Sequence, residues 1–191
     1  CNPFLSKACA MSTHAARLAA LRDALASEKL TGFVIPLTDE HMSEYVGEYA
    51  QRLAWLTGFG GSAGTAVVLS AEAAIFTDGR YTLQVREQVD GKNWQYVGVP
   101  QTSIAAWLKE HAPAGGRIGY DPWVHTKGWA EAAAKALAEK GATLVPVPTP
   151  TTAPTTTAAT TRQNVSLRRI LRRSTITSES SDIENSPGDS L

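Results

Sequence analysis

The sequence predicts an α/β domain whose mixed sheet is covered by helices on both faces. Three observations carry this. Helical and extended patterns alternate from Ser12 to Val147. The run Phe33-Val34-Ile35 is apolar on both sides of the strand it would form, as in a sheet buried on two faces. Two further apolar runs, Thr65 to Leu69 and Ala74 to Thr77, are separated only by Ser70-Ala71-Glu72 and so read as a hairpin.

The first element is a helix starting at Ser12 or Thr13, either of which can cap it. Leu18, Leu21 and Leu25 recur at helical spacing among alanines, and the helix is expected to end near Gly32. Phe33 to Ile35 is a buried strand stopped by Pro36. His41 to Tyr49 reads as a loop with a short helix, and Arg52 to Leu56 leads into a glycine-rich turn, Gly58 to Gly64. After the hairpin, Arg80 to Val89 reads as a helix with Leu83 and Val89 facing inward. Trp94 to Val99 is a strand, and Ile104 to His111 a helix ended by Pro113 and Gly115-Gly116. Arg117 to Tyr120 is a strand, Lys127 to Lys140 an alanine-rich helix closed by Gly141, and Thr143 to Val147 the last strand.

Beyond Pro148 the composition changes. Residues 149–161 are almost entirely Thr, Ala and Pro, and an Arg/Ser-rich stretch with acidic residues follows. Too few large apolar residues remain to form a core, so residues 149–191 are expected to be a disordered tail. The domain is expected to span 12–148, after an N-terminal extension of 1–11 in which Met11 would be the natural start. The 191 residues carry 18 basic and 18 acidic side chains, so overall charge favours neither nucleic acid nor a membrane surface. No apolar run reaches the ~18 residues of a spanning helix. Cys1 and Cys9 both precede the core, which fits a reducing, cytoplasmic setting better than a disulfide scaffold.

Several groupings carry chemistry. Gly60-Gly61-Ser62-Ala63-Gly64 matches G-x-S-x-G, with Asp121 and His125 following in the order of a hydrolase triad. A nucleophile elbow must follow a strand and open a helix; here a strand follows, which argues for a tight packing turn. The same context excludes a dinucleotide loop, and no G-K-[ST] is present. Asp39, Glu40, His41 and Glu44 suggest a metal cluster, and His41 and Glu44 could share a helix face, but the set lacks a recognised ligand pattern. A solvated loop with a helix cap is the plainer reading. Asp78 and Arg80 stand at a strand end around Gly79. Arg80 could grip a carboxylate or peptide carbonyl with its planar fork, or pair locally with Asp78. His111 and His125 read as surface or packing residues. Arg168, Arg169, Arg172 and Arg173 could meet phosphate or an acidic surface, and Arg172-Arg173-Ser174 resembles a basophilic kinase site.

Taken together, five segments resemble the N-terminal creatinase/prolidase-type domain of Xaa-Pro aminopeptidases (aminopeptidase P). They are Ile35-Pro36 with Thr38 to Tyr45, Arg52 to Phe59, Gly61 to Ala66, Thr77 to Tyr81, and Asp121 to Thr126. The resemblance covers about Arg17 to Val147. It implies a three-layer α/β/α domain of ribonuclease-H-like topology. It also implies a cytosolic metallopeptidase that releases an N-terminal residue preceding proline, with peptides bearing proline at the second position as substrates. Two divalent metal ions, often manganese, would activate water on a separate C-terminal domain. Arg80 falls on the family's substrate-binding arginine. The last histidine is His125, and the acids beyond Pro148 are few. The metal set therefore cannot be assembled from this chain, and no metal or catalytic residue is assigned within it. The expectation is a non-catalytic fragment, reached by truncation, frameshift or fusion. The alternatives are a binding or oligomerisation module that pairs with intact aminopeptidase subunits, and a serine hydrolase at Ser62.

Overall fold

The computed structural model describes residues 13–147; the expected extension (1–11) and tail (149–191) lie outside the described residues. Helix α1 (His14–Ser27) opens on Thr13, whose hydroxyl accepts the Ala16 amide at 3.2 Å. One of the N–H groups that every helix start leaves unpaired is thereby satisfied. Leu18, Leu21 and Leu25 are buried, as their spacing predicts. The helix ends earlier than expected. Glu28 caps it, and Lys29 turns the chain at a φ of 56°.

The sheet has six strands: β1 (Gly32–Pro36), β2 (Thr65–Leu69), β3 (Ala73–Thr77), β4 (Gln95–Gly98), β5 (Arg117–Tyr120) and β6 (Thr143–Pro146). Their order is β4-β3-β2-β1-β5-β6. β2 runs antiparallel to both β1 and β3, and the other pairs are parallel. The sheet is therefore mixed.

Alternate residues feed two separate cores. Phe33, Ile35, Ala66, Val68 and Ile75 pack toward α1, α2 (Arg52–Thr57) and α3 (Thr82–Gln88). Val34, Val67, Leu69 and Phe76 pack toward α4 (Ile104–His111) and α5 (Lys127–Ala138), against Trp107, Leu108 and Leu137. This gives the three-layer α/β/α arrangement. It also explains the unbroken apolar run at 33–35, since a strand buried on both faces needs no polar side.

The hairpin register pairs Thr65 with Phe76. Pro36 pairs with Thr65 and Thr77 with Gly98. The C-terminal ends of β1, β3, β4, β5 and β6 thus share one edge of the sheet with the start of β2. In open α/β sheets ligands meet the protein at the carboxyl ends of strands.

The helix expected over Arg80 to Val89 is two pieces. Gly79–Tyr81 forms a 3-10 turn, and α3 begins only at Thr82. The Asp78 carboxylate accepts the Arg80 amide at 2.9 Å, which tightens the chain into that turn. Val85 and Val89, four residues apart, share the buried face, and Leu83 lies outside, 78% exposed. The inward assignment of Leu83 is thus corrected, while Val89 is buried. His41 to Gly47 is a loop, followed by a 3-10 turn at Glu48–Ala50. No helix among the described residues is long and apolar enough to cross a membrane.

Candidate functional site

Arg80 stands on the shared edge, just past the end of β3. Its Nε donates to both Asp78 carboxylate oxygens, at 3.1 and 3.2 Å, and Nη2 donates to Oδ2 at 2.7 Å. Of the two alternatives left by the sequence, the local ion pair forms, and the Arg80 side chain is still 67% exposed. The hydrogen bond from Arg80 holds the Asp78 carboxyl below the usual range, and the same bond pushes the Arg80 guanidinium further up. A pocket of about 160 Å³ opens beside them between the ends of β3 and β4, lined by Thr77, Asp78, Arg86 and Gln101 among others.

The guanidinium carbon lies 5.1 Å from the centroid of the Tyr81 ring. That ring meets Phe59 edge-on at 5.6 Å. Its hydroxyl lies 2.6 Å from Ser62 Oγ, and either group can donate. Hydrogen bonding from Ser62 lowers the Tyr81 phenol from its ordinary value.

Ser62 therefore faces a tyrosine and not a histidine. His125 Nδ1 sits 2.8 Å from the main-chain oxygen of Asp121, and the Asp121 carboxylate accepts the Trp123 amide. In a catalytic triad the acid's carboxylate faces that nitrogen and the serine faces the other one. The triad suggested by chain order is not formed. His125 packs on Trp129 and Tyr120, and burial pushes its pKa down to about 4. His111 pairs with Glu72 at 3.0 Å and stacks on Trp107.

In the acidic loop after β1, Asp39 turns inward while His41 and Glu44 stay exposed. Asp39 is buried, and its carboxylate accepts the amides of His41 and Ser43 at 3.0 and 2.9 Å. The Ser43 bond is the largest cause of its lowered pKa. Asp39 thus shapes the loop from within. His41 lies 3.8 Å from Glu40 on the surface and shares no helix face with Glu44. Among the described residues no group of three or more His, Cys, Asp or Glu could hold a metal ion, so a dinuclear centre does not fit them. Sequence reasoning gives no role to Arg52, which is 8% exposed and whose charge contributes to lowering the His125 pKa. Its place in an otherwise amphipathic helix carries no signal for that burial.

The Creatinase/Prolidase N-terminal domain model matches residues 17–153. The chain belongs to the creatinase/prolidase N-terminal domain family. Human "Xaa-Pro aminopeptidase 2" is 48% identical over 108 residues, which cover 56% of this chain and 16% of that protein. A Caenorhabditis elegans structure, described as an X-prolyl aminopeptidase, "a cytosolic enzyme with a di-nuclear active site", superposes with a TM-score of 0.67. Its identity is 32%, and the match covers 73% of this chain and 25% of that one. The N-terminal domain of the cytoplasmic peptidase PepQ from Mycobacterium tuberculosis matches at 27% identity and a TM-score of 0.52. There the match covers 70% of this chain and 93% of that one. This creatinase/prolidase N-terminal domain thus spans about a sixth of the human relative and a quarter of the nematode enzyme.

Proposed function

We propose that this chain forms the substrate-holding part of the cleft of an Xaa-Pro aminopeptidase, with Arg80 as its peptide contact. The substrates would be peptides with proline at the second position. The observation that carries this reading is the exposed guanidinium of Arg80, held by Asp78 on the strand-end edge of the sheet. An arginine so placed can meet a peptide carbonyl or carboxylate with hydrogen bonds strengthened by its charge. The likeness to Xaa-Pro aminopeptidases of human and nematode supports the substrate class. The cytosol is the proposed setting, following the description of the nematode enzyme.

Hydrolysis would need two metal ions, manganese in the proposed holoenzyme, to activate water. No described residues fit such a centre, so the chain alone is proposed to hold peptide without cleaving it. With Arg-Pro-Pro and added manganese, the pure chain should release no arginine. Chelator-sensitive turnover would defeat the non-catalytic reading. An NMR titration with the same tripeptide should show binding that weakens about tenfold or more in Arg80→Ala, the size expected for a charge-assisted hydrogen bond. Equal binding by Arg80→Ala would remove Arg80 as the contact.

A further inference from the structure

We propose that Asp78, Tyr81 and Ser62 are positioning residues that hold the Arg80 guanidinium with its Nε edge engaged and its end-on edge presented to peptide. The peptide part rests on the substrate-holding role of Arg80 proposed above; the bracing stands on its own geometry.

A guanidinium carries five N–H groups in a rigid plane. The Asp78 carboxylate takes the Nε edge, receiving Nε and Nη2. Both Nη1 hydrogens and the second Nη2 hydrogen are left pointing away from Asp78. One Nη1 hydrogen and that Nη2 hydrogen form the end-on fork that can receive a carbonyl or carboxylate. The same group sits over the Tyr81 ring, its carbon 5.1 Å from the ring centroid.

The tyrosine is itself fixed. Phe59 meets its ring edge-on, and Ser62 holds its hydroxyl at 2.6 Å. The glycine-rich turn is shaped around this contact. A Cβ on Gly61 would fall 2.3 Å from Phe59 Cζ and 2.8 Å from Tyr81 Cδ1. Any side chain at 61 would displace one ring or the other. The G-x-S-x-G sequence thus acquires a use that its hydrolase resemblance obscures. Its glycine lets the rings close, and its serine hydroxyl braces a tyrosine. An arginine free to sample its rotamers loses that freedom on gripping a ligand. Bracing removes part of that cost before the ligand arrives.

The test uses the full chain, the Arg-Pro-Pro tripeptide and NMR. Two quantities are read: the dissociation constant, and the Arg80 Nε–H resonance without peptide. Ser62→Ala and Tyr81→Phe should each weaken binding about three- to tenfold, the cost of ordering one long side chain on binding. The double variant should be no worse than either single one, since both remove the same bond. Ser62→Thr, which keeps the hydroxyl, should restore binding. The Nε–H signal should be sharp in the parent chain and broadened in Ser62→Ala and Asp78→Asn, with the thermal midpoint of Ser62→Ala unchanged. If Arg80→Ala weakens binding while Ser62→Ala and Tyr81→Phe do not, the bracing is overturned and the substrate contact stands. If the parent chain fails to bind, or Arg80→Ala binds as well as the parent, the substrate contact falls. The Nε–H signal then decides the bracing: broadening upholds it, and an unchanged signal overturns it.

Discussion

The hydroxyl of Thr38 donates to the main-chain oxygen of Val124 at 2.8 Å, joining two loops 86 residues apart in sequence. The loops follow β1 and β5, neighbouring parallel strands. Between them lies a pocket of about 180 Å³, with Pro36, Met42, Val124 and Trp129 in its walls. The bond therefore sets the spacing of the loops on the same sheet edge that carries Arg80.

Replacing Thr38 by Val keeps the shape of the side chain and removes the donor. The partly buried bond should cost about 1 kcal/mol when lost. For a domain of this size that lowers the melting temperature by roughly 3–5 °C. Calorimetry of Thr38→Val against the parent chain measures it, and an unchanged midpoint would mean that the loops are held by other contacts.

Gly61 and Gly128 should respond in opposite directions to alanine. At Gly61 the new methyl collides with two aromatic rings, and overpacking of this kind costs about 1–3 kcal/mol. Gly128 lies in the first turn of α5, where a new methyl would find no atom within 4 Å, and its φ is not positive. There alanine should add roughly 0.5–1 kcal/mol by reducing backbone freedom in the unfolded chain. Urea unfolding of both variants tests the pair, and a tolerated Gly61→Ala would contradict the packing of Phe59 on Tyr81.

Acid should weaken the fold through His125. Burial lowers its pKa from 6.5 to about 4, with the Arg52 charge adding to the effect. Between those values the unfolded chain binds the proton and the folded one does not. Stability therefore falls as pH drops from 6.5 toward 4, by at most about 1.4 kcal/mol per pH unit for this residue. Above 6.5 and below 4 the residue contributes no slope. His14, whose pKa is also lowered, acts in the same direction. In His125→Asn an amide can replace Nδ1 as donor to the Asp121 carbonyl. The slope of unfolding free energy against pH should become shallower in that variant, although His14 leaves part of it. Equal slopes would show that His125 titrates normally in the folded chain.

The layers of the fold are legible because two-sided burial leaves a mark on sequence. Phe33, Val34 and Ile35 are all apolar since their side chains alternate between two cores. The position of Arg80 is legible through its motif, but its restraint is not. The Ser62–Tyr81 bond joins residues 19 apart across the β2–β3 hairpin, and no periodic pattern reports such a contact. Asp39 reads as part of a solvated loop because an acid beside Glu40 and His41 looks solvent-facing. Its burial rests on two backbone amides that only the folded turn supplies.

The buried face of α3 is open to reading from the four-residue spacing of Val85 and Val89, and it can be tested by two substitutions. Val85 and Val89 are four apart and share the buried face of α3, whereas Leu83 is six residues from Val89 and falls on the other face. Val85 is 2% exposed within the first core, beside Val89 and Leu56, and Leu83 is 78% exposed. Val85→Ala should therefore destabilise the domain by about 1–3 kcal/mol through lost burial and an unfilled space. Leu83→Ser, although it changes polarity more, should stay within about 0.5 kcal/mol of the parent chain, because the leucine leaves little water-excluded surface to lose. Chemical denaturation of the two variants separates the two faces. If Leu83→Ser proved the costlier change, Leu83 and not Val85 would face the first core.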